Sequence, residues 1–507
     1  MLTDRQQAPL FEALVAHAKS GSTAFHVPGH KQRAEQDHAY GNHSFTTHPA
    51  FYYRSLLPLD VTELPDTDDL HHPEGAIAES HALAATCFGA EETRFLVGGS
   101  TAGNLAMIIG VCQPGDLVIV QRNVHKSIIH GLMMAGARAV MLQPVIDSLS
   151  GLALMPDEQL LEKALERYGN EAKAVILSTP NYYGMAAKLD PLVKIAHCYN
   201  VPVLVDEAHG AHFGFHPDLP EAALRSGADL VVQSTHKMLS AMTMGAMLHM
   251  QGDRLPRQAV RQALAMVQSS SPSYPIMASL DLARREVHAG GPQIFAEPLA
   301  AASLVVEGLE RTSFRALGYG AYKSEGIAYD PLKLILFDVT DRMNGFRLRD
   351  ELAENGCAAE MADDRYVVLA FGTGSIQADG RRLLDALKRI SEVLFSESAS
   401  SGDITSQIKE TLVSKGPLVL DVSDPIRFGR ETYPIESVEL EECEGRTAAE
   451  WVIPYPPGIP VLYPGERITA DAMKVLLKWR QAGSRIQGAA DTRLRTIQVR
   501  LEAPTEI

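Results

Sequence analysis

Apolar and polar positions along this chain come in blocks rather than in strict alternation. From about residue 90, continuous apolar runs of strand length are each followed by a longer stretch with helical spacing. "TRFLVGG" (93–99) gives way to "NLAMIIGVC", "DLVIVQR" (116–122) to "HKSIIHGLMMAG", and "ARAVMLQP" (137–144) to "DEQLLEKALERYG". "KAVILSTP" (173–180) is followed by "PLVKIAHCYN", and "VPVLVDEAHG" (201–210) by "PEAALRSG". "DLVVQSTHK" (229–237) closes the series. Runs that are apolar at every position are those of strands buried on both faces. Strand and helix in turn predict right-handed crossovers and a mostly parallel sheet, an α/β fold.

Beyond this region the pattern changes. A helical stretch near 295–313 precedes "DPLKLILFDVT" and "DRYVVLAFGTGS", which bracket "NGFRLRDELAENG"; this predicts a small α+β domain. "SESASSGDITSQ" (396–407) is small and polar, as linkers are. The remainder, with "WVIPYPPGIPVLYPGERIT", predicts a compact, irregular extra domain. The expected organisation is an N-terminal segment (1–75), a large domain (76–300), a small domain (301–395), a linker (396–415) and a C-terminal domain (416–507). No internal repeat is present.

Composition narrows the function classes. The chain has 507 residues, with 46 % apolar and 21 % charged residues, as expected of a globular enzyme of several domains. A formal net charge of -16 argues against binding a phosphate backbone, so no nucleic-acid partner is expected. No basic start followed by an apolar run marks a signal peptide, and no run is long enough to span a bilayer; no membrane association is expected. The five cysteines are scattered without a CxxC pair, which predicts reduced thiols and a cytoplasmic location.

In doubly wound sheets, ligands bind beyond the carboxyl ends of the strands. Five of the six runs end in polar residues, glycine or histidine: "GGSTAG", "RNVHKS", "STPNYYG", "DEAHGAH" and "QSTHK". Lys237 stands at one such end, and Asp206 ends the preceding run. An amine that forms a Schiff base, beside a buried carboxylate that keeps a pyridine nitrogen protonated, is what pyridoxal 5'-phosphate requires. In "GGSTAGN" (98–104), Gly98 and Gly99 admit close backbone approach. Ser100, Thr101 and the following N–H groups, from Ala102 on, face an anion at a helix start. A serine N-cap explains that stretch equally well on its own. Ser234 and His236 flank Lys237 and are candidates for phosphate contacts, and His125 for stacking on the ring.

His209 and His212 form an HxxH pair, but no carboxylate or cysteine completes a metal site at a known spacing, and no metal is expected. Neither a GxSxG elbow nor a GxGxxG fingerprint opens the sheet.

"FHVPGHKQ" (25–32), "DDLHHPEG" (68–75), "RNVHKS", "VLVDEAHGAH" and "STHK" resemble the Orn/Lys/Arg decarboxylases of the aspartate-aminotransferase fold. "SSSPSYPIMASLD" (269–281) and "YPPGIPVLYPGERIT" (455–469) resemble further segments of that family, so the likeness runs over nearly the whole chain. With no receiver-like domain before "PGHK", the chain is similar to the shorter biosynthetic type. The resemblance implies a pyridoxal-phosphate-dependent transferase of fold type I with a mostly parallel, seven-stranded sheet. It implies a homodimer or higher homo-oligomer, with "QSSSPS" reaching the partner's cofactor. Lys237 would carry the cofactor, Asp206 pair with the ring nitrogen, His125 stack on the ring, and Ala208 and His209 lie beside it. Ser100, Thr101, Ser234 and His236 would hold the phosphate.

The reaction implied is decarboxylation of a basic amino acid, a small-molecule substrate, to its amine, with arginine to agmatine favoured over lysine and ornithine. Lys237 is the first candidate to return the proton, His209 the second. Asp66, Asp68, Asp69, Asp330 and Glu360 are candidates for the distal cation, with Glu360 preferred. Two alternatives stand beside this: an aminotransferase or lyase on the same cofactor, for which Arg365 is a candidate carboxylate ligand, and a non-catalytic cofactor-binding regulator.

Overall fold

The computed structural model describes residues 3–32, 52–398, 422–429, 433–454, 460–481 and 485–501. The expected linker therefore lies, beyond Ser398, outside the described residues, as do Tyr455–Ile459 of the second family-like segment. The chain forms two compact units, one of Met1–Gly110 with Asp206–Ala296, the other of Val111–Val205 with Glu297–Ile507.

In the first unit, strand Ala246–Met250 runs antiparallel between Glu92–Leu96 and Leu230–Gln233. Every residue of Ala246–Met250 and of Leu230–Gln233 is buried. Helix Gly99–Val111 packs closely on this sheet. A Cβ at Gly103 would stand 2.7 Å from both Leu96 Cδ1 and Val232 Cγ1, so only glycine permits the approach. The N-terminal helix Pro9–Lys19 puts Leu10 and Leu14 into a core with Ile77 of helix Ala76–Phe88, and Tyr274, Met277 and Leu280 of helix Tyr274–Gly290. It is also pinned by charge. Asp281 Oδ2 accepts the Leu10 N–H at 3.1 Å, while Arg284 donates to Asp281 Oδ1 and to the Gln7 carbonyl, each at 2.6 Å.

In the second unit, Leu117–Gln121 pairs in parallel with Arg138–Leu142 on one side and Ala172–Ser178 on the other. Val203–Asp206, whose last residue belongs to the first unit, follows Ala172–Ser178 in the strand order. Three of the seven expected strands thus fall in the first unit and four in the second. The two-residue strand Ile426–Arg427, antiparallel to Arg138–Leu142, is an addition. A smaller antiparallel sheet places Lys333–Asp338 between Phe314–Ala316 and Val367–Ala370, with Met361–Ala362 at its edge.

The C-terminal segment has its own core, from Leu440 and Cys443 through Val452, Leu462 and Leu476 to Val499. It grips the end of strand Leu117–Gln121. Arg122 donates to both carboxylate oxygens of Glu466 (3.0 and 2.8 Å) and to the carbonyls of Pro460 and Val461 (3.0 and 2.8 Å). Its guanidinium also lies 3.9 Å from the Tyr463 ring centroid. A planar, five-donor cation is suited to such a junction, and the segment that follows Arg122 carries His125.

Candidate active site

Strand Leu230–Gln233 runs into Ser234, the residue just before the one-turn helix Thr235–Met238. Lys237 therefore stands a single turn past a fully buried strand. Its Nζ donates to His209 Nε2 at 2.9 Å. His209 lies in the loop that leaves Asp206, so the two ends that the sequence nominated do meet.

Asp206 is 3 % exposed and has two donors: Asn104 Nδ2 on Oδ2 at 2.8 Å and the Ala208 N–H on Oδ1 at 3.1 Å. Burial raises its pKa above the ordinary carboxylate value, against the pull of the Lys237 charge and the two hydrogen bonds. A carboxylate so desolvated favours a cation within reach, and a protonated ring nitrogen is one.

The start of helix Gly99–Val111 offers a candidate anion cradle. Gly99 adopts φ +71°, a left-handed conformation suited to glycine, and donates its N–H to the Met244 carbonyl at 2.9 Å. Helix Gly99–Val111 starts there, with the free N–H groups of a helix start. Ser234 Oγ donates to Ser100 Oγ at 2.8 Å, joining the two nominated serines; Thr101 is exposed and Ala102 buried. Thr235 Oγ1 is buried and has no partner among the described residues. His236 is fixed by its Nδ1–H on the Gly245 carbonyl at 2.9 Å, and burial lowers its pKa, which favours the neutral ring. Lysine, buried carboxylate, helix start and unused hydroxyl together fit a phosphate-bearing pyridine aldehyde.

A second buried polar chain crosses behind the site. Glu207 accepts from Gln233 Nε2 at 2.7 Å and from the Ala223 N–H at 2.8 Å. Gln233 Oε1 accepts from His249 Nε2 at 3.1 Å, and His249 Nδ1 meets the Thr93 hydroxyl at 2.8 Å. Burial pushes Glu207 up to about 8 and His249 down to about 3.

His212, the other histidine of the HxxH pair, is buried with its ring against Phe213 and Phe295. Among the described residues, no group of three or more His, Cys, Asp or Glu is placed to hold a metal ion.

The remaining nominated residues have these surroundings. Asp69, in the first unit, caps the His71 N–H at 2.7 Å. Asp68 accepts from the Gly75 and Ile77 N–H groups, and Asp66 pairs with His17 at 2.8 Å. In the second unit, His125 caps helix Lys126–Ala135, its Nδ1 accepting from the Ser127 N–H (3.2 Å) and hydroxyl (2.8 Å). Glu360 is exposed and accepts from the Tyr182 hydroxyl at 2.7 Å; Asp330 is buried and caps the Leu332 N–H at 2.9 Å. Both act on Lys333, which is 4 % exposed and stands 5.4 Å from the Tyr182 ring centroid. Burial lowers the Lys333 pKa and the two carboxylates raise it. Arg365 lies over the Phe337 and Tyr366 rings, 5.4 and 5.3 Å from their centroids.

Asn104, Glu207, Tyr182 and Lys333 were not singled out in the sequence. Asn104 carried one usable signal, being one helical turn beyond Ser100.

Comparison with known proteins identifies the family and the fold. The family model for the Orn/Lys/Arg decarboxylase major domain matches residues 8–317, and that for the C-terminal domain matches residues 430–488. The chain is 38 % identical to the uncharacterized protein YaaO of Bacillus subtilis, over 97 % of this chain and 98 % of that protein. It is 34 % identical to an arginine decarboxylase of the same organism, over 98 % of each. Among solved structures it is similar to lysine decarboxylase A from Pseudomonas aeruginosa. There the TM-score is 0.78 at 21 % identity, covering 97 % of this chain and 80 % of that one. The fold is that of pyridoxal-phosphate-dependent enzymes of fold type I.

Proposed function

The chain belongs to the Orn/Lys/Arg decarboxylase family, and from that premise we propose that Lys237, Asp206 and His209 are the groups with which it decarboxylates a basic amino acid. It is a pyridoxal-phosphate-dependent decarboxylase, with arginine the favoured substrate among arginine, lysine and ornithine. The observation that carries the residue assignment is the contact of Lys237 Nζ with His209 Nε2, beside a buried Asp206 held by two donors.

When bound, the cofactor supplies the electron sink into which the bond to the leaving carbon dioxide breaks. Lys237 would hold it covalently, and Ser100, Thr101, Ala102, Ser234 and His236 would bind its phosphate. Asp206, as the carboxylate, would keep the ring nitrogen protonated, and His125 and Ala208 would lie beside the ring. Lys237 Nζ returns a proton to the substrate α-carbon, and His209 Nε2, 2.9 Å away, accepts and restores protons at that amine. Product leaves as the primary amine. Glu360, Asp330 and Asp69 remain the carboxylates assigned to the distal cation; of these, Glu360 is exposed and so accessible.

The same proposal takes the enzyme as a homodimer or larger homo-oligomer, supported by the exposed Phe25, Tyr52, Tyr53 and Met266 of the first unit. It places the enzyme in the cytoplasm, supported by five cysteines that are all unpaired. The test is incubation of the cofactor-loaded protein with arginine, lysine and ornithine, and identification of products by mass. Agmatine and carbon dioxide from arginine are expected; a keto acid, or no product from any of the three, would overturn the proposal.

A further inference from the structure

The proposed chemistry depends on Asp206 staying ionised and aimed at a ring nitrogen while fully buried. Burial alone favours the neutral acid, which cannot keep that nitrogen protonated. Of the two donors that oppose this, the Ala208 N–H is local backbone. The other, Asn104 Nδ2, comes from a different element, 102 residues away in sequence.

Asn104 is 1 % exposed and lies four residues after Ser100 on helix Gly99–Val111, so both face the same side one turn apart. Ser100 is bonded to Ser234 in the cradle, and Asn104 to Asp206. Gly103, between them, is what lets the helix lie against Leu96 and Val232 closely enough for the amide to reach. One helix face thus touches both ends of the site.

We propose that Asn104 is a positioning residue for the decarboxylation: its amide orients the Asp206 carboxylate, and its helix sets the spacing from that carboxylate to the phosphate cradle. This rests on the function proposed above. Asn104 acts through Asp206, so its loss falls on the bond-breaking step rather than on substrate binding.

The test uses the cofactor-loaded enzyme with Asn104→Leu, which keeps the shape and removes the donor, and Asn104→Ala, which removes the donor together with the side chain's bulk. Each is loaded with cofactor carrying a nitrogen-15 label in the ring. The nitrogen resonance is expected to move toward the unprotonated position in both variants, with Lys237 still carrying the cofactor. The value of kcat is expected to fall about tenfold or more, as for loss of a hydrogen bond to a charged group, with KM nearly unchanged. A wild-type ring-nitrogen resonance in whichever variant folds and loads overturns the proposal, whatever happens to stability. A wild-type enzyme that loads cofactor but decarboxylates nothing overturns the underlying function instead, so the two failures are distinct.

Discussion

Replacing Glu207 with glutamine should flatten the stability of this protein toward alkaline pH. Glu207 is 1 % exposed and has two donors but, among the described residues, no cationic partner, and burial pushes its pKa from 4.5 to about 8. The folded state therefore binds this proton more tightly than the unfolded state does. Its contribution to stability is fully present below pH 4.5 and is lost as pH rises toward about 8. At about 1.4 kcal/mol per tenfold change in proton affinity, the whole rise corresponds to about 5 kcal/mol, and the part between about pH 5.5 and 8.5 to about 3 kcal/mol. Glutamine stays neutral and keeps the bond to Ala223. The Gln233 amide and the His249 tautomer can reverse together to meet it, with Thr93 as the terminal acceptor. Urea unfolding, followed by far-ultraviolet circular dichroism at both pH values, measures the difference between variant and wild type. That difference should shift in favour of Glu207→Gln by about 3 kcal/mol on going to pH 8.5. Other titrating groups are common to both proteins and cancel. Parallel stability profiles would refute the reasoning, because they would mean that Glu207 carries the same charge folded and unfolded.

Asp281→Ala leaves the Arg284 guanidinium buried without its carboxylate and removes one acceptor of the Leu10 N–H, Ser80 Oγ remaining; a loss of about 3–5 kcal/mol is expected in denaturant unfolding. Gly103→Ala drives a methyl group into Leu96 and Val232, and should lower the denaturation midpoint by an amount equivalent to about 1–3 kcal/mol, with weaker retention of the cofactor on dialysis.

The strands that carry the candidate site were legible because their runs are apolar throughout and end in residues that the proposed chemistry calls for. Lys237, Asp206 and the Ser100–Ser234 pair came from that rule, and the contacts at Lys237 and between the serines agree with it. Strand Ala246–Met250 was not legible. The methionine-rich stretch after Lys237 reads as packing, and only the one-turn helix Thr235–Met238 separates this strand from Leu230–Gln233, with which it pairs antiparallel. The chain from Thr93 to Glu207 was hidden for a related reason: a polar line across neighbouring strands exists only once register is set, and register is not written in any one segment. Lys333 reads as the edge of an apolar strand, and its place beside Tyr182, Asp330 and Glu360 follows from folding alone. Asn104 looks like the one polar position past the first turn of an apolar helix until Asp206 is brought to it.

The proposed function assigns decarboxylation of a basic amino acid to Lys237 and its neighbours. The most direct measurement is release of carbon dioxide from carboxyl-labelled arginine, by wild type and Lys237→Ala, each supplied with pyridoxal phosphate. Labelled carbon dioxide and an equal amount of agmatine from the wild type, with none from the variant, is the predicted result. Undiminished release by Lys237→Ala would contradict the account.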